Sequence, residues 1–183
     1  MAHDLSYAVA ILNYQTIDST NQGGKSMTAQ TTESLLYKGE ELHMCATPLD
    51  IYLSQNGIKF ESESTANWRG YQGYWEVKGS DELGYRLYLV RLSACLKYPK
   101  RVGLDYLFPD FPNGVFAHWV TGELRCPQGK RLHYVHGGYG STYEEDLFLS
   151  FKEGVLQGTR LVKNEPPPPR SPEDLPPFLR AGG

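Results

Sequence analysis

Cysteine is scarce and poorly placed for cross-linking: Cys45, Cys95 and Cys126 stand far apart in 183 residues. An odd number so dispersed argues against a disulfide framework and reads as reduced, mostly buried thiols. The absence of any C-x-x-C pair removes a zinc ribbon and a thioredoxin-like redox motif. Long apolar runs are missing as well. The short run Tyr7 to Leu12 has no basic residue before it and no small-residue cleavage site after it, so it fits neither a secretory signal nor a membrane span. The expected address is the cytoplasm, with no membrane partner. Excess charge of one sign is also lacking, at a formal net charge of −3. The nearest basic cluster, Lys97, Lys100 and Arg101 around Pro99, reads as a solvated turn, and nucleic acid is not expected as a partner. No G-x-S-x-G elbow is present. Gly24-Lys25-Ser26 lacks the preceding strand and the first glycine of a phosphate loop.

What is present is ordinary globular material, 40% hydrophobic and 21% charged, enough for one core and one domain. After Asn21 the chain turns to Gln, Gly, Ser and Thr, so residues 1–32 read as a disordered extension. Gly23-Gly24-Lys25-Ser26 before Met27 can encode a purine-rich ribosome-binding sequence, which suggests a natural start at Met27. From Glu165 a run of prolines begins, and residues 165–183 read as a solvated, polyproline-like tail. A single domain is expected between them, over residues 33–164.

Within that domain the period is mostly two. Leu83 to Leu92, Val115 to Leu124 and Asp146 to Phe151 read as strands, and Lys152-Glu153-Gly154 marks a tight hairpin into Val155 to Val162. One short helix is predicted at about residues 48–56. Thr47 would be its N-cap, Asp50 would complete a capping box, and Asn56-Gly57 would stop it. The expected fold class is mainly β, an antiparallel sandwich or half-barrel with that one helix.

Four histidines of the domain invite chemistry. His118 alternates with Phe116 and Val120, so a strand would place it on their apolar face as a core histidine. His133 and His136 would fall on opposite faces of a strand. His43 and Cys45 would share one face, but two ligands do not make a site, so no metal and no cofactor is expected. The richest stretch runs from His136 to Asp146. Its three glycines allow Tyr139, Tyr143, Glu144 and Glu145 to be presented from a compact loop. A second aromatic stretch, Trp68-Arg69-Gly70-Tyr71-Gln72-Gly73-Tyr74-Trp75, suits an interface or a ligand wall. The candidate binding residues are therefore Trp68, Arg69, His136, Tyr139, Tyr143, Glu144 and Glu145, with no catalytic residue assigned.

Gly39-Glu40-Glu41-Leu42-His43-Met44-Cys45, Asn67-Trp68-Arg69-Gly70-Tyr71 and Tyr139 to Leu147 resemble strings in a group of short bacterial proteins of no assigned function. The resemblance covers the domain and neither tail, and it implies a bacterial origin and a single domain. The expected function is a non-enzymatic protein-binding module, of the kind serving immunity or defence, that sets its acidic, tyrosine-rich loop against a basic protein partner. The alternatives are a small hydrolase or metal-dependent enzyme using His43, His133 or His136, and a sugar-binding module.

Overall fold

The computed structural model of the chain describes residues 28 to 166 and residue 168. The proposed start at Met27, the run Tyr7 to Leu12 and most of the proline-rich tail lie outside the described residues. Thr28 to Thr32, assigned to the extension on composition, belong to the fold: the Gln30 amide donates to Gly138 O at 2.9 Å and the Thr31 amide to Ala66 O at 2.8 Å.

Among the described residues the architecture is mainly β, with nine strands and two short helices. Strands β1 (Glu33–Tyr37) and β2 (Glu40–Met44) precede helix α1 (Leu49–Gln55). Strands β3 (Tyr71–Ser80), β4 (Gly84–Lys97) and β5 (Lys100–Val102), helix α2 (Leu104–Leu107) and strand β6 (Val115–Phe116) follow. The chain closes with β7 (Gly122–His133), β8 (Thr142–Lys152) and β9 (Val155–Lys163). The sheet order is β2-β1-β3-β4-β9-β8-β7, with β5 and β6 added along β4.

Two hairpins form for the same local reason. Lys38 and Gly39 join β1 to β2 with φ of 51° and 82°, and Glu153 and Gly154 join β8 to β9 with 49° and 76°. Paired positive φ values make the turn whose twist matches that of the flanking strands, and glycine at the second position lowers its cost. Not every pairing is antiparallel, as periodicity alone suggests. Strand β3 lies parallel to β1, with Leu35 opposite Trp75, because the chain between β2 and β3 carries α1 and is long enough to cross over.

Bulges at Tyr74/Trp75 and Ser150/Phe151 bend the strands. The curled sheet stays open, yet its outer strands approach each other: the Cys45 amide, just after β2, donates to Arg125 O of β7 at 2.8 Å. The core inside the curl is built on Leu35, Tyr71, Trp75, Leu87, Leu89, Leu124, Leu149 and Phe151. Helix α1 seals it with Leu49 and Leu53, while Tyr52 packs against Phe108 and Trp119 at ring distances of 4.7 and 4.9 Å. Gly57, at φ 64°, follows the helix as the sequence predicts. The expected capping box does not form. Thr47 meets the Asp50 amide through its backbone carbonyl, and the Asp50 carboxylate accepts a hydrogen bond from the Tyr71 hydroxyl instead.

The strand predicted over Val115 to Leu124 is interrupted. The chain turns at residues 117–120, with the Val120 amide on Ala117 O at 3.0 Å, so Ala117 and Val120 are buried while His118 is exposed. His118 is therefore a surface histidine beside Phe116 and Trp119, not a core one. His43 and Cys45 also part company. Strand β2 ends at Met44, leaving His43 exposed beside Thr32 and turning Cys45 inward.

Candidate functional site

A charged residue facing the interior is rare unless something inside receives it. Glu33 shares the face of β1 that carries Leu35, and its side chain is 0% exposed. Arg69, in the approach to β3, brings Nε to 3.2 Å from Glu33 Oε1 with its own side chain 8% exposed. The Trp75 indole N–H donates to the other oxygen, Glu33 Oε2. Room for this contact comes from Gly73, because a Cβ there would lie 2.5 Å from Glu33 Oε2 and 2.6 Å from Trp75 Nε1.

The cluster extends in two directions. Arg69 also stacks over the Tyr71 ring, 5.3 Å from its centroid, and Tyr71 donates to Asp50 Oδ1 at 2.6 Å. On the other side Arg69 Nη1 donates to the Tyr139 hydroxyl at 2.9 Å, and that hydroxyl donates to Thr31 O at 3.2 Å. Burial raises the Glu33 carboxyl to about 7, against the opposing pull of the Arg69 charge and the Trp75 N–H. Burial also lifts the Tyr71 and Tyr139 hydroxyls above their usual range, so both remain donors at neutral pH.

A second, part-buried ion pair lies beneath the glycine-rich loop. Arg125 of β7 donates through Nε to Asp146 Oδ1 at 2.8 Å, through Nη1 to Tyr139 O at 2.9 Å and through Nη2 to Ser141 O at 3.0 Å. Asn164 completes the Asp146 carboxylate from the far side at 2.8 Å. Ser141 Oγ accepts the Val135 amide at 3.1 Å. The compact glycine-rich loop is thus fastened from below at several backbone atoms.

The predicted site residues separate into two groups on this scaffold. Arg69 and Tyr139 turn inward and hold the loop. Trp68, 46% exposed, stands outside, with its amide on the Gln30 side chain at 3.0 Å. His136 is exposed and its Nδ1 shares a 2.7 Å hydrogen bond with the Tyr134 hydroxyl. Tyr134 is itself 49% exposed, and Arg131 lies over its ring at 5.0 Å. Tyr143 is half-buried on β8. Glu144 is exposed and accepts the Lys130 amide at 2.8 Å, crossing above Gly129, where a Cβ would stand 2.4 Å from its Oε2. Glu145 Oε1 lies 3.7 Å from Lys163 Nζ.

Sequence reading missed Glu33, Asp50, Arg125, Asp146 and Tyr134. For Glu33 a signal existed: in Glu33-Ser34-Leu35 a carboxylate takes a turn on the apolar face of a period-two strand. The other four carry no local signal of that kind.

His43, His118, His133 and His136 are all exposed. Among the described residues no three of His, Cys, Asp and Glu come together as metal ligands. Burial pushes the Cys45 thiol to about 11 and the Cys126 thiol to about 12, so neither supplies a thiolate nucleophile at neutral pH. No helix among the described residues is long and apolar enough to cross a membrane. No protein-family model, curated protein or solved structure matches the chain.

Proposed function

We propose that the chain is a non-enzymatic protein-binding module whose contact surface combines Trp68, Tyr134, His136 and Tyr143 with the rim carboxylates Glu144 and Glu145. The observation that carries this reading is the fastening of the loop by Arg125 and Arg69. A surface already held in one shape loses little conformational freedom when a partner arrives. Exposed tryptophan and tyrosine on such a surface supply large, stiff contact area with polar edges, the composition of binding hot spots.

Glu144 and Glu145 stand at the edge of this surface and favour a partner with a basic patch. Their contribution falls on the encounter more than on the final contact. The buried Glu33–Arg69 cluster belongs to the support of this surface, since its charges are closed off beneath Trp75 and Tyr71.

The test is capture of the partner from native cells, followed by binding kinetics with variants. Trp68→Ala combined with Tyr134→Ala should weaken binding about ten-fold or more through faster dissociation, with an unchanged melting temperature. Glu144→Gln combined with Glu145→Gln should slow association and flatten its salt dependence. Unaltered kinetics in both double variants would overturn the assignment.

A further inference from the structure

We infer that β9 is an interface between two copies of this chain, pairing antiparallel to its counterpart around Leu161 and joining the two sheets. The inference is independent of the surface built on Trp68. The tip of the β8–β9 hairpin is docked firmly: the Gly154 amide donates to Val120 O at 2.7 Å, and Gly154 O accepts the Leu87 amide at 2.9 Å. Val155 pairs with Arg86 of β4, and there the pairing of β4 with β9 ends. From Leu156 to Lys163 no described strand pairs with β9 on the side away from β8. This is an open sheet edge, the element that adds a further strand most readily.

The direction of the unused groups can be read from the ladder. The Asn164 amide donates to Glu144 O of β8. Alternate residues of a strand direct their backbone groups to opposite sides, so those of Lys163, Leu161 and Thr159 point away from β8. Residues 157–161 are all exposed, and β9 contains no proline that would spoil the edge.

Natural edges are often guarded by charged side chains, and the two basic residues here are each paired with a carboxylate of their own sheet while staying solvated. Arg160 lies over the Phe148 ring, 3.9 Å from its centroid, and is tied to Glu123 at 2.8 and 3.1 Å. Lys163 reaches back toward Glu145. Among the apolar residues Leu156, Leu161 and Val162 of this stretch, Leu161 is the exposed one, at 52%, opposite Leu147 of β8 on one face.

A second copy suits this edge through its own sequence. In the register centred on Leu161, the outward residues of one chain meet those of the other, Leu161 with Leu161 and Thr159 with Lys163. Arg160 then faces Val162, and no like charges are opposed. The two leucines continue an apolar row from Leu147 of one copy to Leu147 of the other, the kind of cross-strand contact that stabilises sheets. A register centred on Arg160 would set two guanidinium groups against each other.

The test is sedimentation velocity of the full chain over a wide concentration range. The expected result is a dimer that Leu161→Lys weakens by about ten-fold or more, since it places two ammonium groups side by side. Thr159→Pro removes an outward N–H without touching the β8 ladder and should act likewise. Circular dichroism confirms that each variant is folded, and Leu161→Cys provides an independent readout. Mild oxidation of that variant should link two chains, because directly opposed residues of an antiparallel pair lie within disulfide reach. A monomer at every concentration, a dimer indifferent to both substitutions, or a Leu161→Cys variant that resists cross-linking would each overturn the inference.

Discussion

Glu33→Gln should abolish a pH dependence of stability that the wild-type chain carries near neutrality. The carboxyl is wholly buried, and its pKa is raised from an ordinary 4.5 to about 7, chiefly by desolvation. The unfolded side chain releases its proton near 4.5, whereas the folded one holds it until about 7. Between these values the folded form carries the extra proton, so stability declines as pH rises. The contribution is fully present below 4.5 and is lost as pH passes 7. At about 1.4 kcal/mol per pH unit, the window is worth about 3 kcal/mol. The titratable groups that act on Glu33 or feel its charge include Arg69, Asp50, Tyr71 and Tyr139. Of these, Arg69 is the largest pull toward the charged form, so Arg69→Met should move the midpoint of the pH dependence higher still. Urea unfolding of wild type and Glu33→Gln at matched pH values isolates the effect, because other titrating groups cancel in the difference. That difference should fall by about 3 kcal/mol between pH 4.5 and pH 8. A difference that stays level across the range refutes the reasoning and makes Glu33 a carboxylate ionised throughout.

Arg125→Met should cost about 3–5 kcal/mol by stranding the buried Asp146 carboxylate, and amide exchange should rise across residues 136–141 as Tyr139 O and Ser141 O lose their donor. Gly154→Ala should cost about 1–3 kcal/mol, read as a lower melting temperature. Its φ is +76°, and a Cβ there would sit 2.6 Å from Ala117 O. Tyr71→Phe should cost about 1.5–3 kcal/mol through the lost bond to Asp50, and Asp50→Asn should be non-additive with it in a double-mutant cycle. Trimming to residue 33 should destabilise the fold measurably, since it removes Gln30 and Thr31 with their bonds to Gly138, Trp68 and Ala66.

Individual residues show where sequence reading reached and where it stopped. The hairpin at Lys152-Glu153-Gly154 was legible because its cause is local, two positive φ values with glycine at one of them. Val115 to Leu124 deceived for the opposite reason. Its alternation is real, but Ala117 and Val120 are buried by a turn, a geometry that period-two counting cannot distinguish from a strand. Asp50 matched a capping box by spacing, yet Tyr71, 21 residues away, holds its carboxylate. In the sequence Tyr139 stands out for its ring and its glycine neighbours. Its inward hydroxyl depends on Arg69, 70 residues earlier in the chain.

The sequence by itself therefore determined the β-rich class, the short helix and its stop at Gly57, and the hairpin turn at Glu153-Gly154. Each rests on side chains and backbone preferences within a few residues of one another. The tertiary structure alone decided the parallel pairing of β1 with β3, the meeting of Glu33 with Arg69 and Trp75, the grip of Arg125 on the loop and the open edge of β9. Those features require one register among many between segments tens of residues apart. A register is selected by the whole core closing together, and a one-residue slip would turn every side chain of a strand to its other face.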